Sequence, residues 1–148
     1  MINKIAIGSD HAGVEQKSEI IDFLKSKNIE VINCGTNSTD SVDYPDFANL
    51  VAKKVSNNEA ERGIIICGSG IGVSITANKV KGIRAALAYN EETAQLARQH
   101  NNANIICYGA RFIDVELAKK MISHFIETEF EGGRHQNRVN KIHSLTDC

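Results

Sequence analysis

Cys67 stands at the end of an apolar run, Gly63-Ile64-Ile65-Ile66-Cys67, and opens into Gly68-Ser69-Gly70-Ile71-Gly72. An ionised thiol is a strong nucleophile and base, and a turn that presents several backbone N–H groups beside it favours the thiolate. Glycine at positions 68, 70 and 72 permits positive φ and the close approach of another group to the backbone. If the chain continues as a short helix from Ile71 to about Lys79, the positive end of its dipole adds to the effect, and the turn becomes a cradle for an oxyanion. The same residues would also serve a plainer purpose, a small buried core thiol followed by a tight turn. The rest of the chain has to separate the two.

Other candidates are scattered. Asp10 and His11, in Ser9-Asp10-His11-Ala12-Gly13, could bind or exchange protons, or simply cap the helix that follows. His100 could act as an acid, or could be a cation at a helix C-terminus. Arg134 and Arg138 lie four apart and would make a dianion clamp on one face of a helix, if the tail is helical; a solvated C-terminal helix would use them equally well. Two nucleotide motifs fail. A dinucleotide fingerprint needs its third glycine one place beyond Gly72 and a turn after the first strand, and Val14-Glu15 stands where a Walker A loop needs Lys-Ser/Thr. No histidine pair has H-x-x-x-H spacing, so no metal site is expected.

The elements that must position these residues alternate. Ile5 to Gly8 predicts a first strand, Val14 to Ser26 a helix with Ile20 and Leu24 on one face, and Ile29 to Cys34 a second strand. A polar loop from Gly35 to Pro45 carries Tyr44. Phe47, Leu50, Val51 and Val55 then follow with helical spacing. Ile64 to Cys67 is the third strand, Ile83 to Ala88 the fourth, and Asn90 caps a helix that runs to about His100. Asn104 to Tyr108 is the fifth strand, and Asp114 caps a longer helix lined by Ala118, Met121, Ile122, Phe125 and Ile126. Such alternation implies an α/β fold: a three-layer αβα, doubly wound Rossmann-like domain over 1–148 with a five-stranded parallel sheet of order 2-1-3-4-5. Its topological switch point falls between strands one and three, which brings Asp10 and His11 beside Cys67 and favours the functional reading of the thiol.

Composition narrows the classes further. The 148 residues suit one core, and a formal net charge of −1 leaves no electrostatic footprint for nucleic acid or an anionic membrane. The N-terminus enters a strand pattern without a signal-peptide core, so a cytoplasmic location is expected. Cys34, Cys67, Cys107 and Cys148 are too far apart for a C-x-x-C pair, which predicts neither a zinc cluster nor a disulfide scaffold.

Taken together, Gly8-Ser9-Asp10-His11-Ala12-Gly13, Asp43-Tyr44-Pro45, Cys67-Gly68-Ser69-Gly70-Ile71-Gly72, Arg98-Gln99-His100-Asn101 and Glu131-Gly132-Gly133-Arg134-His135-Gln136-Asn137-Arg138 resemble the motifs of the ribose-5-phosphate isomerase B family. That family includes galactose-6-phosphate isomerase subunits. The resemblance implies aldose-ketose isomerisation of a sugar phosphate in the pentose phosphate pathway, without metal or other cofactor. Cys67 would be the base moving a proton between C1 and C2, and His100 the acid of ring opening. Substrate would be bound by Asp10, His11, Tyr44, Gly68, Ser69, Gly70, Ile71, Gly72, Asn101, Arg111, Arg134 and Arg138, with Arg134, Arg138 and His11 on the phosphate. Many members carry Thr at the position of Ser69; the hydroxyl, and with it proton handling at O1 and O2, is retained here. Members lacking the cysteine use a glutamate a few residues later, but Gly72-Val73-Ser74-Ile75 contains none.

One geometric expectation follows from the order of elements. His100 precedes the fifth strand and so lies at the amino edge of the sheet, whereas Cys67 ends a strand at the carboxyl edge, about 17 Å away. A second subunit is therefore expected to supply His100, making a homodimer with shared active sites the working unit, either alone or as a dimer of dimers. Two alternatives stand beside this reading: an isomerase of a six-carbon sugar phosphate such as galactose 6-phosphate or allose 6-phosphate, and a sugar-phosphate-binding regulator without turnover.

Overall fold

Isoleucine-rich runs form the strands and amphipathic segments the helices between them. The computed structural model describes residues 1–148. In chain order it contains β1 (Lys4–Ser9), α1 (Val14–Ser26), β2 (Glu30–Asn33), α2 (Tyr44–Ser56), β3 (Arg62–Cys67), α3 (Ile71–Ala77), β4 (Ala85–Leu87), α4 (Glu91–Asn101), β5 (Ile105–Gly109), α5 (Val115–Glu127) and α6 (Arg134–Ser144), with a 3₁₀ turn at His11–Gly13 leading into α1. None of the helices is long and apolar enough to cross a membrane.

All five strands are parallel. Side chains alternate between two cores, as the pleat requires. Ile5, Ile7, Ile64, Ile66, Ile106 and Tyr108 face α1, α4 and α5, while Ala6, Ile65, Cys67, Ile105 and Cys107 face α2 and α3. The three-layer arrangement is thus already present in the period-two pattern of β1, β3 and β5.

The order is β2-β1-β3-β5-β4, not the 2-1-3-4-5 expected from sequence. Burial explains the exchange. All five residues of β5 are buried, which demands neighbours on both sides, whereas none of Ala85, Ala86 and Leu87 in β4 is. The short strand therefore takes the edge. Right-handed crossover connections then carry α4 to the face occupied by α1 and α5, opposite α3. The switch point between β1 and β3 is unaffected, because Ser9 still pairs with Ile66.

Helix ends show local encoding. Asn90 accepts from Thr93 N–H at 2.8 Å and the Thr93 hydroxyl accepts from Asn90 N–H at 3.2 Å, a reciprocal capping box that starts α4. At the other end Arg98, 2% exposed, donates to Asn102 Oδ1 at 2.9 Å and to the carbonyls of Ala103 and Thr128. Burial, with Arg62 nearby, lowers its guanidinium to about 10. Arg98→Ala leaves those carbonyls without a donor and a gap against Phe125. It is expected to cost about 3 kcal/mol in urea unfolding; a loss below about 1 kcal/mol would remove Arg98 as the anchor of this end of α4.

Candidate active site

Three loops meet at the carboxyl edge of β1, β3 and β5. Asp10 N–H donates to Ile66 O at 3.2 Å, Ala110 N–H donates to Cys67 O at 2.8 Å, and Arg111 N–H donates to Gly68 O at 3.2 Å, so the loops are cross-tied by backbone. At their centre Cys67, 4% exposed, receives Gly70 N–H on Sγ at 3.0 Å. The glycine turn thus folds back onto the sulfur. Gly70 has φ of 78°, the left-handed turn that points this N–H back, and a Cβ there would lie 2.7 Å from Leu87 and from the Tyr108 backbone. Ile71 N–H donates to Ser69 Oγ at 3.3 Å, placing the hydroxyl at the start of α3.

The neighbours of this loop come from far away in sequence. Arg111 lies across Gly68 so closely that a Cβ there would be 3.0 Å from its Cζ. The Tyr44 ring covers Gly72 in the same manner, its hydroxyl 2.7 Å from where a Cβ would stand. Asp10 caps the His11 turn, its Oδ1 accepting from Ala12 N–H at 2.9 Å. His11 Nδ1 accepts Val42 N–H at 3.2 Å, so a neutral imidazole carries its proton on Nε2. The other cysteines lack such a setting. Burial pushes the Cys107 thiol, with Cys67 close by, far above the usual range, and burial likewise raises Cys34.

A second group forms at the amino edge. His100 and Asn101 close α4, and Asn101 O accepts from Arg84, the residue just before β4, at 3.1 Å. The ring of His135, from the first turn of α6, stacks on His100 with centroids 4.3 Å apart and planes 9° from parallel. Glu131 Oε2 lies 3.5 Å from His135 Nε2. Burial holds the His135 imidazole below its ordinary value; His100 and Arg134 push the same way, and Glu131 opposes them. Arg134 and Arg138 follow on α6, which confirms the helical tail that their spacing required.

Within one chain, therefore, Asp10, His11, Tyr44, Gly68, Ser69, Gly70, Ile71, Gly72 and Arg111 gather around Cys67, whereas His100, Asn101, Arg134 and Arg138 gather elsewhere. The expected grouping of His11 with Arg134 and Arg138 on one phosphate is not made inside a single chain. The length of β3 sets the separation, about 17 Å from Arg62 to Cys67. Residues able to hold a metal are found only in the second group, where His100, Glu131 and His135 offer donor atoms within 4.8 Å of one another.

Sequence reading missed Lys17. It is 2% exposed, and its ammonium donates to Asn33 Oδ1 at 2.8 Å and Asn37 Oδ1 at 2.7 Å, with no carboxylate. Burial lowers its ordinary value, opposed by Cys34. Lys17 thereby pins the start of the loop whose end, Val42, orients His11. Nothing in the sequence distinguishes it from a solvated helix lysine. Lys17→Met is expected to cost about 1–3 kcal/mol in urea unfolding by removing the two charge-assisted hydrogen bonds that tie α1 to the loop, and to raise KM more than it lowers kcat. An unchanged midpoint and KM would remove it as the loop's anchor.

A parallel sheet between two helix layers, with polar loops at its switch point, defines an α/β protein of the doubly wound class. Within that class the chain belongs to the ribose/galactose isomerase family, whose model matches residues 5–142. It is 44% identical over 144 residues to ribose-5-phosphate isomerase B of Escherichia coli, covering 97% of each chain. It superposes on ribose-5-phosphate isomerase B of Clostridium thermocellum with a TM-score of 0.95 at 51% identity, covering 96% of each. The enzyme of Mycoplasma genitalium with bound ribulose-5-phosphate gives 0.93 at 48% identity, covering 98% of this chain and 97% of the other.

Proposed function

We propose that the chain interconverts ribose 5-phosphate and ribulose 5-phosphate through an enediolate, in sites completed by a second copy of itself. The observation that carries this reading is Cys67, a buried thiol at the switch point with Gly70 N–H on its sulfur. In the aldose-to-ketose direction, the thiolate takes the C2 proton of the open-chain aldose. N–H groups of Gly68 to Gly72 stabilise the oxyanion, each good donor contributing roughly 3 kcal/mol to the transition state. Ser69 passes the hydroxyl proton between O2 and O1, and Cys67 returns its proton to C1.

Ring opening needs an acid, and His100 takes that role from the other copy, since its own Cys67 is a strand length away. Arg134 and Arg138 come with it and complete the phosphate site with His11, while Asp10, Tyr44, Asn101 and Arg111 hold the sugar and its phosphate. Exposed apolar side chains at Ile71, Ile75 and Leu87, around the rim of the Cys67 loop, suit a surface covered by a second copy. A cytoplasmic location goes with this substrate, because a doubly charged sugar phosphate crosses a lipid bilayer poorly.

The test is a panel of ribose, galactose and allose phosphates. The expected kcat/KM for ribose 5-phosphate exceeds those of the hexose phosphates by roughly 100-fold or more. Equal or greater turnover of a hexose phosphate would overturn the pentose assignment, and no turnover of any would leave a binding protein.

A further inference from the structure

We propose that His100, Glu131 and His135 form a site for a zinc-class divalent ion, and that occupation takes His100 out of proton transfer. The second half rests on the role given to His100 above; the first half does not.

The donor set is two imidazoles and a carboxylate, the combination that suits zinc with one position left for water or a substrate oxygen. All three donor atoms lie within 4.8 Å of one another, and Glu131 Oε2 is already 3.5 Å from His135 Nε2. Backbone holds the group together from three segments. Glu131 N–H donates to Gln99 O at 3.1 Å, tying the loop after α5 to the end of α4, and His135 N–H donates to Gly132 O at 3.0 Å. Arg98 adds a tie from α4 to Thr128 O at 3.4 Å.

Bonds of about 2.0–2.2 Å in a tetrahedral site require donors roughly 3.3–3.5 Å apart. The cluster must therefore close by about 1 Å, and the stacked rings must tilt out of their 9° alignment. The residues are suited to that: His135 is buried and forms the fixed ligand, His100 is half-buried, and the Glu131 carboxylate is exposed and free to swing. A metal-bound imidazole nitrogen cannot carry a proton, so the ion would act as an inhibitor that competes with ring opening.

The full-length chain would be titrated with Zn²⁺ by calorimetry and with Co²⁺ by visible spectroscopy. The expected result is one ion per chain, visible d–d absorption that in Cys67→Ser has no near-ultraviolet band of a thiolate ligand, and an affinity at least roughly tenfold weaker in both Glu131→Gln and His135→Gln. Glu131 is on the surface, so Glu131→Gln tests the site even if His135→Gln folds poorly. A thiolate band in Cys67→Ser, which Cys34 or Cys148 would give, or unchanged affinity in Glu131→Gln, would overturn the site. Zn²⁺ is expected to inhibit the wild type, with the inhibition weakened in step with affinity in Glu131→Gln. Binding at the cluster without inhibition would overturn the role assigned to His100 and leave the site standing.

Discussion

Cys67→Ser is expected to lower kcat by about 1,000-fold, with KM moved less than about threefold and the unfolding midpoint nearly unchanged. The magnitude follows from the loss of a positioned base, whose contribution is typically about 100- to 10,000-fold. Serine is close in size, so the packing against Val73 and Ile65 survives, and Gly70 N–H still has an acceptor. A hydroxyl at neutral pH, however, is hardly ionised and makes a poor base. Neither Cys107, wholly buried, nor any carboxylate between Gly68 and Ile75 stands ready to replace it. Steady-state kinetics with ribose 5-phosphate checks this, and a kcat within tenfold of wild type would remove Cys67 as the base.

His100→Ala gives the second large effect, and its form is more informative than its size. Alone the variant is expected to lose roughly 100-fold in kcat on the cyclic sugar. Mixed in equal amounts with Cys67→Ala and allowed to exchange subunits, it is expected to recover activity. In a dimer with shared sites, half the dimers would be mixed, and each mixed dimer would contain one intact site and one site lacking both groups. Recovery to about one quarter of wild-type activity is expected from that arithmetic. Sites built within single chains would each keep one defect, so no recovery after exchange verified by mass spectrometry would refute the shared site.

Much of this arrangement could be read from residue types. Ile5, Ile64 and Ile105 belong to runs too short and too β-branched for helices, and Asn90 and Asp114 announce α4 and α5 by their capping chemistry. The loop at Cys67 was legible because Gly68, Gly70 and Gly72 have no core function that would demand three glycines, and a Cβ at each would crowd a neighbour, Arg111 at Gly68, Leu87 and Tyr108 at Gly70 and Tyr44 at Gly72. Strand order was not legible at β4 and β5. Periodicity identifies a strand, but its rank in the sheet depends on burial from both faces, which Ala85 to Leu87 lack and Ile105 to Gly109 have.

The missed residues share one cause: their roles are tertiary. Lys17 looks like any helix lysine until Asn33 and Asn37 close over it. His135 looks like one member of a basic tail until α6 folds back and lays its ring on His100. Arg98 stands in the sequence only as one residue of Arg98-Gln99-His100-Asn101, yet it is buried and ties the end of α4 to the loop carrying Glu131. The separation of His11 from Arg134 and Arg138 was visible in principle, since the strand-length reasoning that displaced His100 applies to every residue beside it.

Proton exchange at carbon tests the chemistry assigned to Cys67 most directly. Ribulose 5-phosphate would be incubated with enzyme in heavy water and followed by proton magnetic resonance. With wild type, one of the two C1 protons is expected to exchange for deuterium at a rate comparable to turnover, and with Cys67→Ser that exchange is expected to fall in parallel with kcat. Undiminished exchange in Cys67→Ser, or isomerisation by that variant at the wild-type rate, would contradict an enediolate formed by the Cys67 thiolate.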